Sequence, residues 1–390
     1  MRIAASVSTR GKLSEALSEA ISGALEGLTG AEPHLGVLTL TNHFEDEAAA
    51  VAEQIRARTR VQTLIGCTAE GVIGPTEEVE RQPGVALWLA SLPNVRIRGF
   101  HLHPTDLESV ETVDELHRLL RVKDVTDPNF LMLADPFFTP YVIGLLEAIG
   151  KVYPNRPVLG GMASGVEAEE QSALILDDDI FHEGAVGAVL SGDVLISPVV
   201  SQGCRPIGKP FIITAADRNV IRQLGGRPAL NVLNEVLESA PARDRELVKE
   251  GGLFVGRAIS EYQETFRRGD FLIRNVIGAE PENKSIHIGD MARVGTTVQF
   301  HVRDAESADQ DLRSLLRDTS HLPAGGLVFS CNGRGTKMFN AANHDLEAIR
   351  DILGDVPVAG LFCAGEIGPV SGQTFVHGHT ASIALFSDKA

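Results

Sequence analysis

The sequence predicts an α/β protein of mixed sheets flanked by helices, with internally repeated βαβ units arranged in two pseudo-duplicated halves. Three observations carry that expectation. Short apolar runs of strand length alternate with stretches whose apolar residues recur at helical spacing. The pattern of apolar run, loop, helix and second apolar run returns three times. The chain has 390 residues, 43% apolar and 22% charged, more than one core usually serves, since cores stop growing at about 250–300 residues.

Each unit opens with an apolar run, at 37–40, 130–133 and 327–329. The first helix follows from Ala48, Val51, Ala52 and Ile55, and the second from Val142, Leu145, Leu146 and Ile149, both in the i, i+3, i+4, i+7 pattern. The third keeps Leu346, Ile349 and Leu353. Thr139 followed by Pro140 predicts a cap and first turn, and Gly354 a left-handed helix end. A second apolar run then ends in Gly66, Gly160 or Gly360, and another glycine follows five residues on, at Gly71, Gly165 or Gly365.

Strand, helix and strand within about 30 residues make a right-handed crossover with parallel strands. The loops after both strands then open on one edge, where open α/β sheets hold ligands. Residues 331–335 are therefore expected to face 361–369, with 41–44 facing 66–75 and 135–139 facing 160–166. Strand character returns at 85–90, 186–190 and 382–386. The strand 95–102 with a helix near 109–120 resembles 298–302 with a helix near 307–316, which predicts two duplicated halves. The expected domains are 1–200 and 201–390, with the border at 198–205 before a new strand at 210–214. Residues 217–285 are the least repetitive, with one helix expected near 228–239.

Lys and Arg number 35 against 52 Asp and Glu, a net charge of -17. That charge repels phosphate backbones and anionic lipid surfaces, so neither nucleic acid nor membrane is expected as a partner. The four cysteines, Cys67, Cys204, Cys331 and Cys363, form no CxxC pair, which suits a reducing compartment. The N-terminal stretch lacks the apolar core of a signal peptide, and no window reaches the roughly 18 apolar residues of a membrane span. A cytoplasmic location is the expectation.

Four stretches carry a family resemblance: GCTAEGVIGP at 66–75, SQGCRPIGKPFIIT at 201–214, FSCNGRG at 329–335 and AGLFCAGEIGPV at 359–370. They resemble the hallmark segments of FIST proteins (F-box and intracellular signal transduction), the first half matching the FIST N-terminal domain and the second the FIST C-terminal domain. The resemblance implies a sensory module that recognises small molecules such as amino acids. FIST domains are often fused to an output module, and this chain leaves no room for one, so a protein signalling partner or a homo-oligomer is the expected route of output.

The GEIGP loop at 365–369 and the GVIGP loop at 71–75 differ by one residue, Glu366 for Val72. Two readings of these loops stand side by side: tight turns built from glycine and proline, or a ligand cradle in which only one copy carries an acid. Arg334, flanked by Gly333 and Gly335, suits a carboxylate or phosphate through its two-pronged guanidinium. The candidate ligand site is therefore Asn332, Gly333, Arg334, Gly335, Gly365 and Glu366. Arg334 is expected to take an anion and Glu366 a cation, as an amino-acid-like molecule requires; an internal Arg334–Glu366 ion pair is the structural alternative. Catalytic residues are not expected in this reading. The enzymatic alternative is a cysteine hydrolase or transferase using Cys331 with His377 and His379, set against a Cys331 that is merely a buried small residue. A third reading is a protein-binding scaffold. No cofactor and no metal is expected, because neither His101 with His103 nor His377 with His379 has the acid or cysteine spacing of a metal site.

Overall fold

The computed structural model describes residues 1–390 except 109, 111, 251, 262–264, 267 and 390. The chain divides into two compact units. The larger holds Met1–Val200, Leu312–Val376 and Thr380–Ala390, and the smaller Ser201–Asp311 with His377–His379. One border between the units lies between Val200 and Ser201. Beyond residue 311 all of the chain except His377–His379 belongs to the larger unit, so the smaller one is an insertion.

All three crossovers of the larger unit are present. Leu35–Thr41 runs parallel to Thr63–Ala69, Asn129–Ala134 to Val158–Met162, and Gly325–Cys331 to Val358–Cys363. The connecting helices are Ala48–Thr59, Thr139–Val152 and His344–Leu353. The last ends on Gly354 at φ +80° and ψ -162°, a positive-φ stop that suits glycine but is not the left-handed helical turn expected. Thr139 differs: a 3-10 turn at Pro136–Phe138 precedes the helix, and the Thr139 hydroxyl donates to the Pro136 carbonyl instead of capping.

Register explains the repeated first glycine. Gly66 pairs with Leu38, Gly160 with Met132 and Gly360 with Val328. A Cβ on each glycine would lie 2.5, 1.8 and 1.8 Å from the carbonyl oxygen of that same partner. Strand packing requires a residue without a side chain there, and no ligand need be invoked.

Each crossover sits in its own six-stranded sheet, and the three sheets share one strand order. The first reads Arg2–Ser8, Val85–Ser91, Leu35–Thr41, Thr63–Ala69, Leu174–Leu176, Asp179–Phe181. The second reads Val95–Leu102, Ala185–Gly192, Asn129–Ala134, Val158–Met162, Glu366–Val370, Gln373–His377. The third reads Leu195–Gln202, Thr380–Ser387, Gly325–Cys331, Val358–Cys363, Gly71–Ile73, Glu78–Glu80. The last two strands of every sheet are donated by a different repeat, in cyclic exchange. Three repeats, rather than two duplicated halves, describe this unit. In the third repeat the strand equivalent to Val95–Leu102 is Leu195–Gln202, and Thr297–Arg303 belongs to the inserted unit.

The inner faces of the sheets share one apolar core, with Ile65, Trp88, Leu133, Val186, Phe329 and Phe386 all buried. Helices cover the outer faces. Leu17, Ile21, Val51 and Ile55 pack on the first sheet, Val142, Leu145 and Ile149 on the second, and Leu312, Leu316, Leu346 and Ile349 on the third. Each such side chain contributes about 1.5–3 kcal/mol. Near the expected helix 109–120 the chain forms Pro104–Glu108 and Val113–Leu119; residues 109 and 111 lie outside the described residues.

In the smaller unit the strands run in the order Cys204–Asp217, Thr297–Arg303, Leu253–Ala258, Phe271–Glu280, Ser285–Ile288, Val220–Leu224. The first also pairs with the last, which closes a barrel and leaves no free edge between them. The helix expected near 228–239 is Ala229–Ser239, and a second follows at Ala242–Lys249. Among the described residues, no helix is long and apolar enough to cross a membrane.

Candidate functional site

The exchanged strands give the two glycine loops a common frame. Val72 pairs with Leu361, Leu174 with Cys67 and Glu366 with Gly161. In each case the next residue, Ile73, Ile175 or Ile367, pairs with the glycine of the crossover: Gly360, Gly66 or Gly160. Val72, Leu174 and Glu366 therefore occupy one position in three sheets, and all three are fully buried. Val72 and Leu174 belong to the central core. Only the third repeat places an acid there.

The Glu366 carboxyl accepts the Thr380 N–H through Oε2 at 3.1 Å, while Oε1 has no hydrogen-bond partner. Burial pushes its pKa well above the usual carboxylate range; the Thr380 N–H, the adjacent Cys331 thiol and the charge of Arg334 pull the other way and lose. Burial thus favours the neutral form of the Glu366 carboxyl over the free anion expected to meet a ligand's ammonium.

Arg334 follows the strand Gly325–Cys331, its N–H donating to the Cys331 carbonyl at 2.8 Å. Its side chain is fully buried, which corrects the expectation of a guanidinium reaching freely from between two glycines. Nε and Nη2 donate to Asp345 at 2.9 and 2.6 Å. The partner is therefore Asp345, in the first turn of His344–Leu353, and the alternative of an internal ion pair holds with a different acid. Asp345 also accepts from the Ser330 hydroxyl at 2.7 Å and stands 3.0 Å from Nδ1 of His344. Burial alone would raise its pKa, but the Arg334 guanidinium and His344 hold it well below the carboxylate range. Phe339 lies under the guanidinium, 5.2 Å from its carbon, and stacks on His344 at 3.3 Å. Nη1 of Arg334 has no hydrogen-bond partner.

A second acid comes from the exchanged strand of the first repeat. Glu78 accepts the Leu346 N–H at 2.8 Å, and burial together with the charge of Asp345 pushes its pKa up to about 8. Cys331 is 6% exposed and accepts the Gly333 N–H at 3.4 Å. It is the register partner of Cys363, whose thiol burial pushes well above its ordinary range, with Glu366 adding to the shift.

Above these groups the loops of three repeats meet. The side chain of Asn332 donates to Glu70 at 3.3 Å, and Lys337 pairs with the same carboxylate at 2.6 Å. The Glu70 N–H donates to the Ser164 hydroxyl at 2.8 Å, and that hydroxyl donates to the Phe362 carbonyl. Asn42, one residue past its strand as Asn332 is past its own, donates to the Gly165 carbonyl at 2.7 Å. The facing loops expected from the crossovers are in place: the Asn332 N–H donates to the Cys363 carbonyl at 2.8 Å, and Ala163 to Ala134 at 2.8 Å. Asn332 and Gly333 are half-buried, Gly365 is buried, and Gly335 adopts φ +53°, a left-handed turn beside Glu80.

His377 and His379 belong to the smaller unit, whereas Cys331 belongs to the larger. His379 Nε2 stands 3.1 Å from the Asn275 side-chain oxygen, and its ring meets Phe254 edge-on at 4.4 Å. Among the described residues no group of three or more His, Cys, Asp or Glu is arranged to hold a metal ion. Sequence reasoning missed Asp345, Glu78, Ser330, Glu70 and Lys337. The signal for Asp345 was its place in a helix first turn, where a carboxylate is favoured; Glu78 and Glu70 give none, because the strand exchange brings them in.

A three-fold repeated α/β unit with a buried polar cluster and an inserted barrel is the class of protein these features define. Residues 34–227 match the FIST N domain and residues 229–369 the FIST C domain, and the chain belongs to the FIST family. FIST domains are sensory and signal-transduction domains that bind small ligands. The chain is 42% identical over 392 residues to an uncharacterised protein of Mycobacterium tuberculosis strain H37Rv, both chains being covered in full. It is 40% identical over 393 residues to an uncharacterised protein of Mycobacterium bovis, with 100% of this chain and 99% of the relative covered. Among solved structures it is similar to a cyanuric acid hydrolase from A. caulinodans at 11% identity and a TM-score of 0.33, covering 100% of this chain and 99% of that one. At that score the likeness carries no argument.

Proposed function

We propose that this chain is a sensory protein that binds a small polar metabolite at the ends of the third crossover, through Asn332, Gly333, Arg334, Gly335, Gly365 and Glu366. One observation carries the reading: Glu366 is a buried acid at a position where the two equivalent sheets hold Val72 and Leu174. Folding is served by the aliphatic residues, and local rules of this kind are broken mainly at functional sites. Arg334 Nη1 and Glu366 Oε1, both buried and without partners, supply the groups a ligand would satisfy. Because Asp345 already matches the charge of Arg334, an amino-acid-like ligand meets one remaining N–H edge of the guanidinium and not a free cation.

Binding is coupled to output through a protein partner or self-association, and the protein works in the cytoplasm. Thermal-shift screening of metabolites against wild type and Glu366→Gln tests the reading. A ligand that stabilises wild type and loses its effect at least tenfold in the variant supports it. Equal shifts in both proteins, or none with any metabolite, count against it.

The enzymatic alternative has one observation of its own, the Gly333 N–H directed at the Cys331 sulfur. Thiol labelling of Cys331 against pH decides it: a rate typical of a slow, buried thiol removes the nucleophile.

A further inference from the structure

The ends of the first crossover hold a cavity that the third-crossover site does not use. It measures about 590 Å³, within the range of small-molecule sites. It lies between the start of the helix Ala48–Thr59 and a loop of the second repeat that has no counterpart in the other two. The exchanged-strand position follows its crossover glycine by six residues from Gly66 to Val72 and from Gly360 to Glu366, but by fourteen from Gly160 to Leu174. The extra residues, Glu170 and Gln171 among them, form one wall of the cavity. Strand exchange does not require them, since Leu174 pairs with Cys67 just as Val72 pairs with Leu361. Surplus loop at the carboxyl end of a parallel strand pair lies where α/β proteins hold ligands.

The polar lining is rich in acceptors. Asn42 donates through Nδ2 to the Ser164 and Gly165 carbonyls at 3.1 and 2.7 Å, which fixes the amide's orientation. Its Oδ1, buried and without a partner, is left as an acceptor. His182 donates through Nδ1 to the Ser172 carbonyl at 2.9 Å, so Nε2 of the neutral ring accepts. Glu45, Asp46 and Glu170 are exposed, and their carboxylates enter no ion pair or hydrogen bond among the described residues. No Lys or Arg lines the cavity. A guest here has to bring both N–H donors and positive charge. Among the described residues no three His, Cys, Asp or Glu are arranged to hold a metal ion, so the negative charge is spread around the cavity and not gathered at a point. We propose that this cavity is a second ligand site for an organic cation of the aliphatic-amine class, which donates to Oδ1 of Asn42 and is neutralised by Glu45, Asp46 and Glu170.

The full chain is titrated calorimetrically at constant ionic strength with putrescine, 1,4-butanediol and magnesium chloride. Asp46→Asn combined with Glu170→Gln removes two exposed, unpaired acids from the cavity and leaves the core untouched. Glu147→Gln combined with Glu238→Gln removes the same charge from exposed acids that do not line it. Putrescine should bind wild type with a single-site isotherm, butanediol should not bind, and magnesium should not displace the amine. The cavity variant should weaken putrescine at least tenfold, while the distant variant and Glu366→Leu leave it unchanged. Equal weakening by both double variants would reduce the effect to the net charge of the chain, and displacement by magnesium would reduce it to counterion attraction; either overturns the proposal, as does a putrescine that fails to bind. Loss of putrescine binding in Glu366→Leu alone would move the amine to the third crossover and overturn it as well, whereas binding that survives in that variant leaves this site standing whatever becomes of the other.

Discussion

Val72 and Glu366 occupy the same place in two equivalent hairpins, each strand crossing to a neighbouring sheet, each side chain fully buried. One completes the central core; the other brings a carboxyl beside two thiols and a guanidinium. The backbone tolerates either, and the difference lies in what the residue is for. An aliphatic side chain at this position contributes burial energy, whereas an acid forfeits it and leaves an oxygen without a partner.

The largest effect is expected from imposing the acid on the wrong repeat. Val72→Glu buries a carboxyl with no guanidinium provided for it and should cost about 4 kcal/mol or more, or prevent folding. Chemical denaturation measures it, and a loss below about 1 kcal/mol would show that this core accepts acids generally. Next comes the ion pair: Asp345→Ala strands the Arg334 guanidinium and should cost about 3–5 kcal/mol, while Arg334→Met combined with Asp345→Leu should recover most of that loss. A double variant no better than the single would make the pair itself a source of stability.

Smaller and of opposite sign in the two units are the pH effects. Glu78 binds its proton more tightly when folded, near pH 8 against about 4.5 unfolded, so between those values the native state holds more protons and stability falls as pH rises. His301, buried in the smaller unit, has its pKa lowered from 6.5 to about 4 by burial. Between those values the unfolded state holds more protons, so His301 removes stability as pH falls. Hydrogen exchange followed by unit should show protection in the larger unit declining from pH 5 to 8, a slope flattened by Glu78→Gln. In the smaller unit protection should decline from pH 6.5 to 4. A common slope in both units would contradict this assignment.

The crossovers were legible because helical spacing and glycine placement are local: Val142, Leu145, Leu146 and Ile149 mark a face, and Gly160 marks a contact with its own partner strand. The cyclic exchange of hairpins was not, since nothing local tells Gly71–Ile73 to pair with Val358–Cys363 across nearly 300 residues of chain. The inserted barrel splits the third repeat, and that is why a count of two halves looked natural. At the site, Arg334 and Glu366 were legible as residue types. Their burial was not, because it depends on Asp345 and on a strand exchange that composition cannot reveal.

The most direct measurement is the denaturation midpoint of Glu366→Leu, taken together with the response of that variant to a ligand that stabilises wild type. Removing a buried, half-satisfied acid should leave stability unchanged or raise it by about 1–2 kcal/mol, while the ligand response is lost. A variant that is less stable by several kcal/mol yet keeps its ligand response would make Glu366 a structural residue and contradict the account.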